Sequence, residues 1–149
     1  MSPPVPKKKY KLILVEDSED DVMLFDLSLK RTGLHESFEI IRRFPDGDEA
    51  LRYFTDPSSL VDPSPPPDII VLDIKLPGRS GFEVLAAVRC VHAKAAIAMF
   101  TSSVLEEDRA KAVDLGADIF QTKNFEPAEF SRFLHWLARI AEERQAKNL

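Results

Sequence analysis

Cysteine is almost absent: Cys90 stands alone among 149 residues. A disulfide framework within the chain and a cysteine-rich metal site are both excluded, and Cys90 reads as a small side chain near the end of a helix. Long apolar runs are missing too, since the longest are strand-sized and none reads as a membrane span. The opening MSPPVPKKKY puts prolines and lysines where a signal peptide needs an apolar centre. The expected location is therefore the cytoplasm, with no membrane partner. Positive charge is in deficit: 20 Lys and Arg against 25 Asp and Glu leave a formal net charge of −5. A chain so balanced does not hold nucleic acid through its own net field, and none is expected as a partner.

What is present suits one domain with a substantial core. Hydrophobic residues make up 44% of the chain and charged residues 30%, the composition of an ordinary globular protein. Short β-branched or leucine-rich runs at residues 11–15, 38–42, 69–72, 96–100 and 118–121 alternate with segments of helical period. That alternation predicts a parallel sheet covered by helices. The first and third runs read as buried on both faces.

Helix starts and stops are marked as well. Asp46 precedes Glu49 by three residues, as Ser80 precedes Glu83 and Ser103 precedes Glu106, the spacing of capping boxes. Gly33 and Gly116 stand where the first and fourth helices should end. Pro127 opens the last helix, whose Phe130, Phe133, Leu134, Leu137 and Ile140 form one core-facing stripe. Two stretches fall outside the pattern. Residues 1–9 read as a loose arm before a domain spanning 10–149. Residues 56–68 contain Pro57, Pro63, Pro65, Pro66 and Pro67 and read as a stiff surface loop, with a polyproline docking segment at 64–67 as the functional alternative.

In an open parallel sheet, ligands bind at the carboxyl ends of the strands. The first run ends in Glu16 and Asp17, the third in Asp73 and the fourth in Thr101, and Lys123 follows the fifth. Carboxylates gathered there repel unless a cation shares the site. An oxygen-rich pocket without histidine or cysteine suits a hard ion, and Mg2+ is the expected cofactor. With the metal and Lys123 present, a phosphoryl group can be neutralised while a free carboxylate attacks phosphorus, giving an aspartyl phosphate. Thr101 could then hydrogen-bond a phosphoryl oxygen. Each residue taken alone has an ordinary reading as a turn, a surface charge or a strand end; their convergence is what points to chemistry.

The runs LILVEDSEDD, DIIVLDIKLPGRSGFEVL, AMFTSS and GADIFQTKNF, in that order, resemble the receiver domains of bacterial two-component response regulators. The resemblance covers roughly residues 9–141. It implies an α/β, doubly wound, flavodoxin-like fold: a five-stranded parallel sheet in order 2-1-3-4-5 with five helices, the first and fifth on one face. By position it makes Asp73 the phosphoacceptor, Glu16 and Asp17 the acidic pair, Thr101 the switch hydroxyl, Phe120 the aromatic switch residue and Lys123 the phosphate-binding lysine. It implies that Asp17, Asp73 and the backbone carbonyl of Lys75 hold Mg2+ directly, with Glu16 acting through water. The opening VEDSEDDVMLFDLSLKRTGL is further similar to small response regulators that partner bacterial phytochromes and lack an output domain. The implied partner is a sensor histidine kinase, of the bacteriophytochrome type on the finer match, or a phosphotransfer protein. With no DNA-binding module expected after the last helix, output is expected through a partner, a relay or self-association. On phosphorylation Thr101 would move toward the phosphoryl group and Phe120 would turn inward. The face formed by the fourth helix, fifth strand and fifth helix would then change, as a partner or homodimer surface. No turnover enzyme is implied, only Mg-dependent self-phosphorylation from a phosphodonor and slow autodephosphorylation.

Two positions depart from the family. Asn124 stands where a proline normally follows the lysine, and a cis bond before an ordinary residue costs roughly 3–4 kcal/mol. A trans Lys123–Asn124 peptide is therefore expected, with the ammonium still reaching the acidic pocket. Lys75 adds a positive charge two residues after Asp73, and its side chain is expected in solvent. Two rival functions compete with this reading. A receiver-like interaction module that is no longer phosphorylated would be expected to have lost at least one of Glu16, Asp17, Asp73, Thr101 and Lys123. A phosphatase of the haloacid-dehalogenase type needs a second carboxylate where Lys75 stands and a nucleophile on an early strand.

Overall fold

The computed structural model describes residues 8–56 and 66–147. Their elements run β1 (Tyr10–Val15), α1 (Glu19–Arg31), β2 (Phe38–Phe44), α2 (Gly47–Thr55), β3 (Ile69–Leu72), α3 (Gly81–Val91), β4 (Ala96–Thr101), α4 (Glu106–Asp114), β5 (Ile119–Thr122) and α5 (Pro127–Ala146). A short 3₁₀ turn, Leu34–Glu36, links α1 to β2. The five strands are all parallel, in order β2-β1-β3-β4-β5. The chain order reverses between β1 and β3, and the site lies at that switch point.

Two-residue periodicity along the strands divides the core into two layers. Leu12, Leu14, Ile69, Val71, Ala98 and Phe100 face α1 and α5, where they meet Phe25, Leu29, Phe130, Phe133 and Leu137. Ile13, Val15, Ile70, Leu72, Ile97 and Met99 face Phe54 of α2, Val84, Leu85 and Val88 of α3 and Ala112 of α4. Helices one and five thus share a face, as the resemblance implied. β3 is buried throughout, and so is β4. The α5 stripe is core at Phe130, Phe133, Leu134 and Leu137, while Ile140 is only partly covered.

Helix ends follow the sequence signals in part. Asp46 caps α2, accepting from the Glu49 N–H at 2.6 Å. Gly33 and Gly116 have φ of 74° and 104°, the left-handed conformation that ends α1 and α4 without Cβ strain. The other two expected boxes do not form. Ser80 sits at the N-cap of α3 but makes no side-chain cap bond, and Glu83 pairs instead with Arg79 at 3.6 Å. At α4 the N-cap is Leu105; the extended backbone there moves the helix start beyond reach of Ser103. Ser103 instead accepts from the Leu105 N–H and donates to Asp108 at 2.6 Å. Ser18 and Glu126 cap α1 and α5, accepting from Asp21 and Glu129. Cys90 is exposed in the last turn of α3.

Most of the proline-rich connection and residues 1–7 of the arm lie outside the described residues, as does the front of the 64–67 segment. Lys8, which is described, pairs with Glu142 of α5 at 2.9 Å.

Candidate functional site

The acidic residues are set by the sheet ladder continuing past the strand ends. Just after β1, the Glu16 N–H donates to Phe44 O at 3.0 Å; beyond β3, the Asp73 N–H donates to Val15 O at 3.1 Å. Glu16 is 3% exposed and Asp73 7%, whereas Asp17 is exposed. Arg43, at the end of β2, latches the β1–α1 loop: Nε and Nη2 donate to the Glu16 carbonyl at 3.1 and 2.9 Å, and Nη1 pairs with Glu19 at 2.8 Å. Asp73 Oδ1 accepts from the Ile74 N–H at 2.7 Å, which aims Oδ2 at the shared pocket. Behind Asp73 the chain folds back so closely that a Cβ on Gly81 would collide with the Asp73 carbonyl oxygen. Only glycine fits there.

Thr101 ends β4 opposite Thr122, and its carbonyl accepts from the Lys123 N–H at 2.7 Å. The Thr101 and Lys123 backbones are thus tied by one hydrogen bond. From there Lys123 Nζ reaches Glu16 Oε1 at 2.7 Å, Asp21 Oδ2 at 2.6 Å and Asp73 Oδ2 at 2.8 Å. The Lys123–Asn124 peptide is trans, and the ammonium still reaches the pocket. Burial would lower the Lys123 ammonium, but its bonds to Asp21, Asp73 and Glu16 outweigh this and hold it above its usual value. Burial pushes the Glu16 carboxyl up to about 7, with the Asp73 charge adding to the shift and Lys123 opposing it.

Glu16, Asp17 and Asp73 each offer an oxygen, and these oxygens lie within 4.8 Å of one another. Such an all-oxygen set fits a divalent cation. The Lys75 side chain is exposed. Thr101 is 2% exposed, with Oγ1 accepting from the Ser103 N–H at 3.4 Å. Phe120 is 7% exposed, packed with the α2–α4 layer, and the Arg109 guanidinium lies 5.1 Å over its ring. The ring thus lies inward in this conformer. Two residues at the site escaped the sequence reading. Asp21 ends the acidic run Glu19–Asp21 in the first turn of α1, directly after the Ser18 cap, a run that could have suggested it. Arg43 carries no local signal, because its position beside the acidic loop depends on β2 pairing with β1.

Residues 12–135 match the response regulator receiver domain family. The chain belongs to this family. The receiver is 33% identical over 132 residues to the alkaline phosphatase synthesis transcriptional regulatory protein PhoP of Bacillus subtilis, covering 89% of this chain and 50% of PhoP. It thus spans half the length of that relative. It is 36% identical over 115 residues to the chemotaxis protein CheY of Halobacterium salinarum, covering 77% of this chain and 85% of CheY. Among solved structures, the bacteriophytochrome response regulator RtBRR matches with a TM-score of 0.67 and 31% identity, over 87% of this receiver and 78% of RtBRR. The Mn2+-bound response regulator Rcp1 matches with a TM-score of 0.67 and 26% identity, over 86% and 94% of the two chains. The phosphorylated cyanobacterial phytochrome response regulator RcpA matches with a TM-score of 0.65 and 26% identity, over 95% and 97%. The chain thus carries the receiver domain of two-component response regulators. Among the described residues no helix is long and apolar enough to cross a membrane.

Proposed function

We propose that Asp73 accepts a phosphoryl group from a histidine kinase, a new P–O bond forming to its carboxylate as the donor's P–N bond breaks. One observation carries this reading: Asp73 Oδ2 faces the pocket with the Lys123 ammonium 2.8 Å away, while Oδ1 is held by the backbone. Lys123 orients the carboxylate and remains beside it to neutralise the incoming phosphoryl charge. Asp17, Asp73 and the Lys75 backbone carbonyl would hold Mg2+, with Glu16 acting through water. When bound, the metal supplies charge neutralisation at the phosphoryl oxygens. Thr101 is the switch hydroxyl and Phe120 the aromatic switch residue, and the two change the face of α4, β5 and α5 on phosphorylation.

The cognate kinase on this reading is a bacteriophytochrome. Support comes from RcpA and RtBRR, described as phytochrome and bacteriophytochrome response regulators. Output runs through the face of α4, β5 and α5 to a partner or a second copy; Val113 and Trp136 are 60% and 54% exposed on those helices. The test is incubation with Mg2+ and acetyl phosphate. A labile adduct mapping to Asp73, absent from Asp73→Asn, is expected. No adduct in the wild type would favour a receiver-like interaction module held in one fixed state.

A further inference from the structure

Three carboxylates share the Lys123 ammonium, those of Glu16, Asp21 and Asp73. Among the described residues, the carboxylates grouped closely enough to bind a cation are Glu16, Asp17 and Asp73. Asp21 is therefore the partner of Lys123 that stands outside the cation group. It lies in the first turn of α1, whose N-terminus is fixed by the Ser18 cap on the Asp21 N–H at 3.2 Å. The pair is 102 residues apart in sequence and bonded at 2.6 Å. When a cation draws on Asp73 directly and on Glu16 through water, the charge of those two carboxylates is divided between it and Lys123, and the Asp21 bond is left undivided.

We propose that Asp21 is a positioning residue, which keeps the Lys123 ammonium at the phosphoacceptor once a cation occupies the neighbouring carboxylates. This inference rests on the reading of Asp73 as phosphoacceptor. Asp21 acts through Lys123 and does not touch the reacting atoms. An ammonium has three donors in tetrahedral arrangement, so tying one to Asp21 limits where the other two point. A charge-assisted bond of this kind shifts an equilibrium by about tenfold or more.

The test uses the full chain with saturating Mg2+ and two readouts. The first is the rate at which limiting acetic anhydride labels Lys123, measured by peptide mass spectrometry against exposed Lys94. The second is the rate of phosphorylation by acetyl phosphate. In Asp21→Ala, Lys123 labelling should rise about tenfold relative to Lys94 and phosphorylation should slow by a similar factor. Asp21→Asn, which keeps an oxygen acceptor, should fall between Ala and wild type on both. Labelling and phosphorylation within about twofold of wild type in Asp21→Ala would overturn the proposal. Should Asp21→Ala not fold, Asp21→Asn decides alone, and unchanged labelling there overturns it. If the wild type takes up no phosphoryl group, the phosphoacceptor reading fails by itself, and the labelling ratio still decides whether Asp21 holds Lys123.

Discussion

Lys123 Nζ lies 2.8 Å from Asp73 Oδ2 although 50 residues separate the two in sequence. The distance is produced by the sheet. β3 carries Asp73 on a ladder bond to Val15, and β4 carries Thr101, whose carbonyl holds the Lys123 backbone at 2.7 Å. β3 and β4 are adjacent, as are β4 and β5, so the lysine needs only its own length to cross β4 and reach the acid. A single cation among Glu16, Asp17, Asp21 and Asp73 leaves the pocket in negative excess, and that imbalance governs several measurable properties.

Mg2+ should stabilise the folded chain, because the cation relieves repulsion among Glu16, Asp17 and Asp73 and binds only their native arrangement. At 100-fold excess over its dissociation constant the gain is about 2.7 kcal/mol. Asp73→Asn should raise the melting temperature of the metal-free protein by about 2–4 °C, the equivalent of roughly 1 kcal/mol at this size. Thermal melts in chelator and in millimolar Mg2+ at matched ionic strength measure both; equal melting temperatures in the two would argue against the cation site.

The metal-free protein should lose stability as pH rises from about 4.5 toward 7. Burial raises the Glu16 carboxyl from 4.5 to about 7 in the folded state. Between those values the folded state retains a proton that the unfolded chain has lost, so the unfolded state binds fewer protons and stability falls with pH. The contribution is intact below 4.5 and gone above about 7. Urea unfolding at several pH values in chelator should show the slope, and Glu16→Gln should flatten it. An unchanged slope in the variant would assign the dependence elsewhere.

Gly81→Ala should destabilise the domain by about 1–3 kcal/mol, the usual cost of inserting a methyl group where no space exists. The new Cβ would collide with the Asp73 carbonyl oxygen, so the backbone carrying Asp73 must move. Phosphorylation by acetyl phosphate should slow in the same variant, more than in a variant of equal destabilisation made in α5. Normal phosphorylation at full stability would mean that the loop yields more easily than the packing indicates.

Thr101→Ala should leave phosphorylation of Asp73 largely intact, because among the described residues the hydroxyl makes one long contact, 3.4 Å from the Ser103 N–H. Phosphorylation-dependent self-association or partner binding should weaken. Gel filtration of the phosphorylated variant tests the coupling, which fails if association is as strong as in the wild type.

Asp118→Ala should cost about 3 kcal/mol. Asp118 accepts from Arg89 at 2.9 Å, from Arg144 at 2.6 Å and from the Ile97 N–H at 2.9 Å, joining α3, α5, β4 and the start of β5. Removing it leaves the mostly buried Arg89 without an anion. Chemical denaturation of Asp118→Ala and of Arg89→Met/Asp118→Leu separates the lost pair from the stranded charge; a double variant no more stable than the single one contradicts this account.

Much of this receiver was legible in its residue order. The LILV and IIVL runs announced strands buried on both faces, and Asp46, Gly33 and Gly116 marked helix ends, because strand burial, N-caps and left-handed turns are written in periods of two to four residues. The acids of VEDSEDD and LDIK were placed at strand ends by the same local reading, and parallel topology brought those ends together. Tertiary structure alone decided the rest. That Asp21 shares the lysine, that Arg43 latches the acidic loop and that Asp118 clamps two arginines follow from strand order and register, since each pair joins side chains distant in sequence. Ser103 and Ser80 illustrate the converse. Their spacing to Glu106 and Glu83 is that of a capping box, but a cap also needs the backbone to turn at the right residue, and the paths leading out of β4 and β3 set that turn. Where an interaction closes within one turn of chain, the sequence determines it; where it crosses the sheet, the fold supplies the neighbour.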